Sequence, residues 1–132
     1  MILPVEGIRL HLPFPTPSQN VYQRWHYRRR GRFRDEVRLH LRSQLRRLHP
    51  GPLTPEERRV VVEILRRSTG TLDYGNLVGG GKACLDAIVL EGLLHDDSPR
   101  WVKEVYHQER WCRGAESTHI WVYPAVEQVP GG

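Results

Sequence analysis

Between residues 73 and 97 the chain carries Asp73, Asn76, Lys82, Asp86, Asp96 and Asp97. Carboxylates gathered in one place repel one another, and they are tolerated where a hard divalent cation neutralises them. Mg²⁺ takes oxygen ligands, with one or two carboxylates, substrate phosphate and water completing its shell. A lysine beside such a centre neutralises the charge that builds on a phosphate or a leaving oxygen. That chemistry suits phosphodiester hydrolysis. The same residues also have an ordinary reading. Asp96-Asp97-Ser98-Pro99 spells a turn at a helix exit, Asp73 a loop residue, and Asn76 a cap or the partner of a carboxylate. His95 has no histidine partner at a metal-binding spacing and reads as structural.

The glycines Gly79, Gly80 and Gly81 run into Lys82, which raises the question of a phosphate-cradling loop. That motif requires G-x-x-x-x-G-K-[ST]. Counted back from Gly81-Lys82, its first glycine falls on Asn76, and Ala83 stands where the metal-binding hydroxyl belongs. The pattern fails at both ends, so the glycines are expected to form the turn that enters a helix carrying Lys82.

The elements that must position these residues follow from periodicity. Ile8, Leu10 and Leu12 alternate as in a half-buried strand. PFPTPSQN is a turn-rich loop. VYQRWHYRRRGRFR reads as an ordered loop, hairpin or strand interleaving rings and guanidiniums around Gly31. From Asp35 to about His49, Val37, Leu41, Leu45 and Leu48 share a helix face, with acids in the first turn and arginines in the last. Arg59 to Leu65 is rich in β-branched residues and reads as a central strand. A second helix runs from about Lys82 to Glu91, burying Cys84, Leu85 and Ile88 and ending near Gly92. Strands from Trp101 to His107 and from Thr118 to Tyr123 close the chain. The order predicts an α+β fold, β-α-β-α-β-β, with one mixed sheet and two helices packed on it. A β-α-β excursion is expected to bring Asp73 and the Asp96-Asp97 pair together at one end of that sheet.

At 132 residues the chain is most simply one domain, 1–132, with a tail frayed from about residue 125. No apolar run approaches the roughly 18 residues of a membrane span. MILPVEGIRLHLPF has no basic start, so it does not read as a secretory signal. Cys84 and Cys112 form no CxxC, as expected of reduced thiols in a cytoplasmic protein. The net charge of +5 points to polyanionic partners, nucleic acid first. Its distribution sharpens this. From Arg24 to Arg47 every basic residue apart from histidine is arginine, including Arg28, Arg29, Arg30, Arg32 and Arg34, against only Asp35 and Glu36. Planar guanidiniums suit bidentate contacts to phosphate.

The run LDYGNLVGGGKACLDAIVLEGLLHDDS resembles the RusA-type Holliday-junction resolvases, whose hallmark is Asp-x-Asp-Asn-Leu, a Lys, an Asp-Ala-Leu-like helix, then Gly and Asp-Asp. PFPTPSQN resembles that family's Pro-Ser-x-Asn entry loop, adding Asn20 to the arginines as a candidate DNA contact. Val105-Tyr106-His107-Gln108 with Gly114 resembles its closing hairpin. The resemblance implies a homodimeric endonuclease, dependent on Mg²⁺ or alternatively Mn²⁺, that resolves four-way DNA junctions. It implies Asp73, Asn76, Lys82 and Asp97 as catalytic residues and Asp73 and Asp97 as metal ligands, with Asp86 or Asp96 expected to supply a further carboxylate. Two departures stand out. Gly75 replaces the second aspartate of Asp-x-Asp, and extra residues separate Asn76 from Lys82. The missing carboxylate leaves a second expectation open, a DNA-binding module without catalysis. A protein-interaction domain with a basic surface is a third.

Overall fold

The computed structural model describes residues 3–55 and 57–126. The tail expected to fray lies, from residue 127, outside the described residues, as does Glu56. Seven elements follow one another: β1 (Ile8–Leu12), α1 (Gln19–Arg24), α2 (Tyr27–Leu48), β2 (Val60–Ser68), α3 (Tyr74–Leu90), β3 (Val102–Arg110) and β4 (Ser117–Pro124). Among the described residues the class is α+β with a single mixed four-stranded sheet and three helices, one helix more than the sequence suggested. No helix among the described residues is long and apolar enough to cross a membrane.

The strand order is β1-β4-β2-β3. β2 is central, antiparallel to β4 and parallel to β3, with Val60 opposite Val102. Alternation sends Ile8, Leu10, Leu12, Val60, Val62, Ile64, Val102, Tyr106, Ile120 and Val122 into the core. The helices close that core with Val37, Leu41 and Leu45 from α2, and Leu77, Cys84, Leu85 and Ile88 from α3. Each such aliphatic contributes roughly 1.5–3 kcal/mol on burial. Leu48, expected on the same α2 face, is 52% exposed beyond the end of the packing. In its apolar surroundings the Cys84 thiol is pushed up to about 12, so it packs as an inert hydrophobe.

The last two strands do not form a hairpin. β3 and β4 lie on opposite sides of β2, because β2 buries residues such as Val60, Val61, Val62 and Ile64 and takes the centre of the sheet. The intervening loop therefore crosses the end of β2.

Helix α2 begins eight residues before the expected Asp35. His26 caps it, Nδ1 accepting from the Arg28 N–H at 3.2 Å. Its first two turns are anchored by Phe33, which packs edge-on against Phe14, Tyr22 and Trp25 at centroid distances of 5.7–6.1 Å. That aromatic cluster overrides the loop signal of Gly31. The earlier start also reverses the electrostatics: no acid lies in the first turn, which carries Arg28, Arg29 and Arg30 instead, at the end where the helix dipole disfavours cations.

The glycine run is not a turn. Gly79, Gly80 and Gly81 lie inside α3 and serve close approach. A Cβ on Gly80 would stand 1.7 Å from the Pro17 carbonyl oxygen, one on Gly79 2.4 Å from Gln19, and one on Gly81 2.7 Å from the Tyr106 ring. The three glycines thus let the 17–19 segment and β3 seat directly on the helix. At its far end α3 is stopped by Gly92, whose φ of 87° suits a residue without Cβ.

Candidate active site

The topology separates the aspartates. β2 and β3 run parallel, so α3 must travel back along the sheet between them. Asp73, at the start of α3, sits at the C-terminal edge of β2. Asp96 and Asp97, just before β3, sit at the opposite edge. From Asp73 to Asp86 the helix rises about 20 Å, at about 1.5 Å per residue. The expectation that Asp73 and the Asp96-Asp97 pair meet at one end of the sheet is therefore not met. A parallel crossover returns the chain to the start of the first strand, not to its finish.

At the Asp73 end the carboxylate is committed to the helix. Oδ1 accepts from the Asn76 N–H at 3.0 Å and Oδ2 from the Asn76 side-chain amide at 2.8 Å. These hydrogen bonds, the side-chain one first, hold the Asp73 carboxyl below its usual range. Asn76 Oδ1 in turn accepts from the Asn20 N–H at 2.9 Å, tying α1 to α3. The loops around this end are pinned by Arg66 and Gln108, to which sequence reading gave no such role. Arg66, 9% exposed, donates from Nε to the Thr16 carbonyl at 2.8 Å and from Nη1 to Gly70 at 3.2 Å. Gln108 bonds both the N–H and the carbonyl of Leu72, at 2.8 and 2.6 Å.

At the other end Asp86, Asp97 and Arg34 line an open depression of about 260 Å³ with Val89 and Leu90. The Asp86 carboxyl is raised above its ordinary value, first by partial burial, then by the charge of Asp97 and less strongly by Glu104, while Arg34 and Lys82 pull it down. Three charged groups, from α2, α3 and the loop before β3, thus line one small volume, and the charges of Lys82 and Glu104 also reach Asp86. Lys82 lies one turn from Asp86, on the same helix face. Glu104 is a member that sequence reading missed. Its Oε1 accepts from the Tyr106 hydroxyl at 2.5 Å, and the Tyr106 ring is seated against Gly81. The third glycine of the run therefore seats the ring that holds a carboxylate whose charge reaches Asp86. The one legible trace was the i, i+2 spacing of Glu104 and Tyr106, which places both on one side of β3.

The adjacent pair divides its labour. Asp96 Oδ1 accepts from the Ser98 N–H at 2.8 Å, forming the turn, and these Ser98 bonds lower its pKa; Asp97 is left facing the depression. His95 tilts over Trp101, centroids 4.5 Å apart.

The arginines also divide. Arg38 and Arg42 grip Glu91 at 2.9–3.0 Å. Burial of Glu91 opposes ionisation, but their hydrogen bonds and charges outweigh it and hold its pKa below the usual range. These two clamp α2 to the end of α3. Arg24 closes α1, and Arg28, Arg29, Arg30, Arg32 and Arg34 occupy the first turns of α2. Of these all but Arg30 are exposed, and the Arg29 guanidinium lies over Trp25 at 4.2 Å.

Mg²⁺ fits the Asp86 end better than the Asp73 end. Asp86 and Asp97 offer two neighbouring carboxylates, and the Asp86 carboxyl is raised by partial burial first and by the Asp97 charge second, the latter a repulsion that a divalent cation would relieve. Each Asp73 oxygen already accepts one hydrogen bond from Asn76, which fixes its orientation as a helix cap. Among the described residues no group of three or more His, Cys, Asp or Glu side chains is arranged to hold a metal, so substrate phosphate and water would complete the coordination. Comparison of the chain with models of known protein families and with curated proteins finds no match to either.

Proposed function

We propose that the chain is a metal-dependent, structure-selective DNA endonuclease of the RusA type, hydrolysing phosphodiesters at four-way junctions. The observation that carries this reading is the depression where Asp86 and Asp97 face Arg34 beside Lys82, at the foot of an arginine-rich helix. Asp86 and Asp97 would hold Mg²⁺ or Mn²⁺, which when bound polarises the phosphoryl oxygen and acidifies water. Lys82 neutralises charge on the phosphate or leaving oxygen as a mobile point charge, and Arg34 orients the phosphate through its planar fork. The arginines of the first α2 turns hold the DNA backbone, and a phosphate there relieves their clash with the helix dipole. Asp73 and Asn76 support this site as the cap of α3. A homodimer would present two such depressions about a two-fold axis, matching opposed strands of a junction.

A second reading, a junction- or duplex-binding module without catalysis, is favoured by the commitment of Asp73 to capping and by glycine at position 75. One assay separates the two. Incubated with a synthetic four-way junction and Mg²⁺, the wild type cuts and Asp97→Asn does not. Salt-sensitive binding with no cutting at any Mg²⁺ or Mn²⁺ concentration selects the binding module. Undiminished cutting by Asp97→Asn removes the depression from the chemistry.

A further inference from the structure

The aromatic residues around the start of α2 are sorted in an unexpected way. Tyr22, Trp25 and Phe33 pack together, and Arg29 covers the outer face of the Trp25 ring. Tyr27, at the first position of the helix, is left 63% exposed. Its neighbours steady the ring without hiding it: His26 tilts against it with centroids 4.3 Å apart, and the Arg28 guanidinium stands 5.8 Å from its centre. An open aromatic face among arginines is what a protein presents to an unpaired base beside its phosphate.

Its position relative to the depression is equally specific. Tyr27 and Arg34 are seven apart, so they lie on one stripe of α2 about 10 Å from each other. Arg34 acts on Asp86, and Arg38 and Arg42 bind Glu91. The partners rise together along both helices, so α2 and α3 run in the same sense. Two turns before Arg34 therefore puts Tyr27 on the side of the depression towards Lys82.

We propose that Tyr27 stacks on a base exposed where DNA strands branch, and that this contact, which rests on the nuclease reading, makes the site prefer branched over continuous DNA. A continuous duplex keeps its base faces covered, whereas a branch point uncovers them. One base stacked on an aromatic ring is worth a factor of roughly five to a hundred and fifty in affinity.

The test compares a four-way junction with a continuous duplex of the same sequence, binding being measured by fluorescence anisotropy in EDTA so that nothing is cut. Tyr27→Ala should weaken junction binding by about tenfold or more while leaving duplex affinity and its salt slope unchanged. Tyr27→Phe should bind the junction like the wild type. With 2-aminopurine at the branch point, the wild type should change its emission and Tyr27→Ala should not. An equal loss on both DNAs, or no loss on the junction, overturns the stacking role and leaves the nuclease reading standing. Failure of the wild type to bind either DNA overturns both.

Discussion

Two glycines in the middle of helices should respond to alanine with opposite signs. Gly31 in α2 has nothing within 4 Å of the position its Cβ would take, whereas Gly80 in α3 would place that atom 1.7 Å from the Pro17 carbonyl oxygen. On helix propensity alone either substitution stabilises by about 0.5–1 kcal/mol. For Gly31→Ala that is the whole effect. For Gly80→Ala the backbone of residue 17 must retreat by about 1.5 Å to restore contact distance. This pries the entry loop and α1 from α3, at an overpacking cost of about 3 kcal/mol. The net expectation is a loss of about 2 kcal/mol. With an unfolding entropy near 2.1 cal/mol/K per residue, that lowers Tm by about 7 °C, while Gly31→Ala raises it by about 2–4 °C. Thermal unfolding followed by circular dichroism measures both. If Gly80→Ala is as stable as Gly31→Ala, Gly80 is not the close-packing position that seats the entry loop on α3.

Three further outcomes follow from the charged groups. Asp86→Asn should raise stability at pH 7 in the absence of divalent ions. The raised carboxyl destabilises the fold increasingly as pH climbs from 3.8 through its folded pKa, so the gain should vanish in acid; urea unfolding across pH measures it. Glu91→Gln should cost about 1–2 kcal/mol at pH 7. Because the Glu91 pKa lies below 4.5 in the fold, that difference should be full above pH 4.5 and shrink as pH falls through the folded value. Asp73→Ala should lower Tm while Asp73→Ser, which keeps a cap, should not, and neither should abolish junction cutting; loss of cutting by a stably folded Asp73→Ser would return Asp73 to the chemistry.

Local pattern made much of the frame legible. The alternation of β1, the β-branched run of β2 and the apolar face around Cys84, Leu85 and Ile88 all describe what each segment buries. What stayed hidden depends on partners distant in sequence. The glycine run looked like a turn because Pro17, Gln19 and Tyr106, which demand its missing side chains, lie far along the chain. The start of α2 looked like a loop because Phe33 earns its helix by packing on Phe14 from another segment. β3 and β4 looked like neighbours until β2 took the place between them. For the candidate site, spacing put Lys82 and Asp86 on one helix face, Asp97 entered through the family resemblance, and Arg34 lay within the arginine cluster. Nothing local revealed that a parallel crossover would carry Asp73 to the far edge, or that Tyr106 would deliver Glu104.

The cation centre proposed above lies at the Asp86–Asp97 end of α3 and not at its Asp73 cap. Mn²⁺, titrated into ¹⁵N-labelled protein as a paramagnetic stand-in for Mg²⁺, locates it directly. The amide signals of residues around Asp86, Asp97 and Glu104 should broaden first, those of residues 73–76 should persist, and Asp97→Asn should abolish the effect. Broadening centred on residues 73–76 would contradict it.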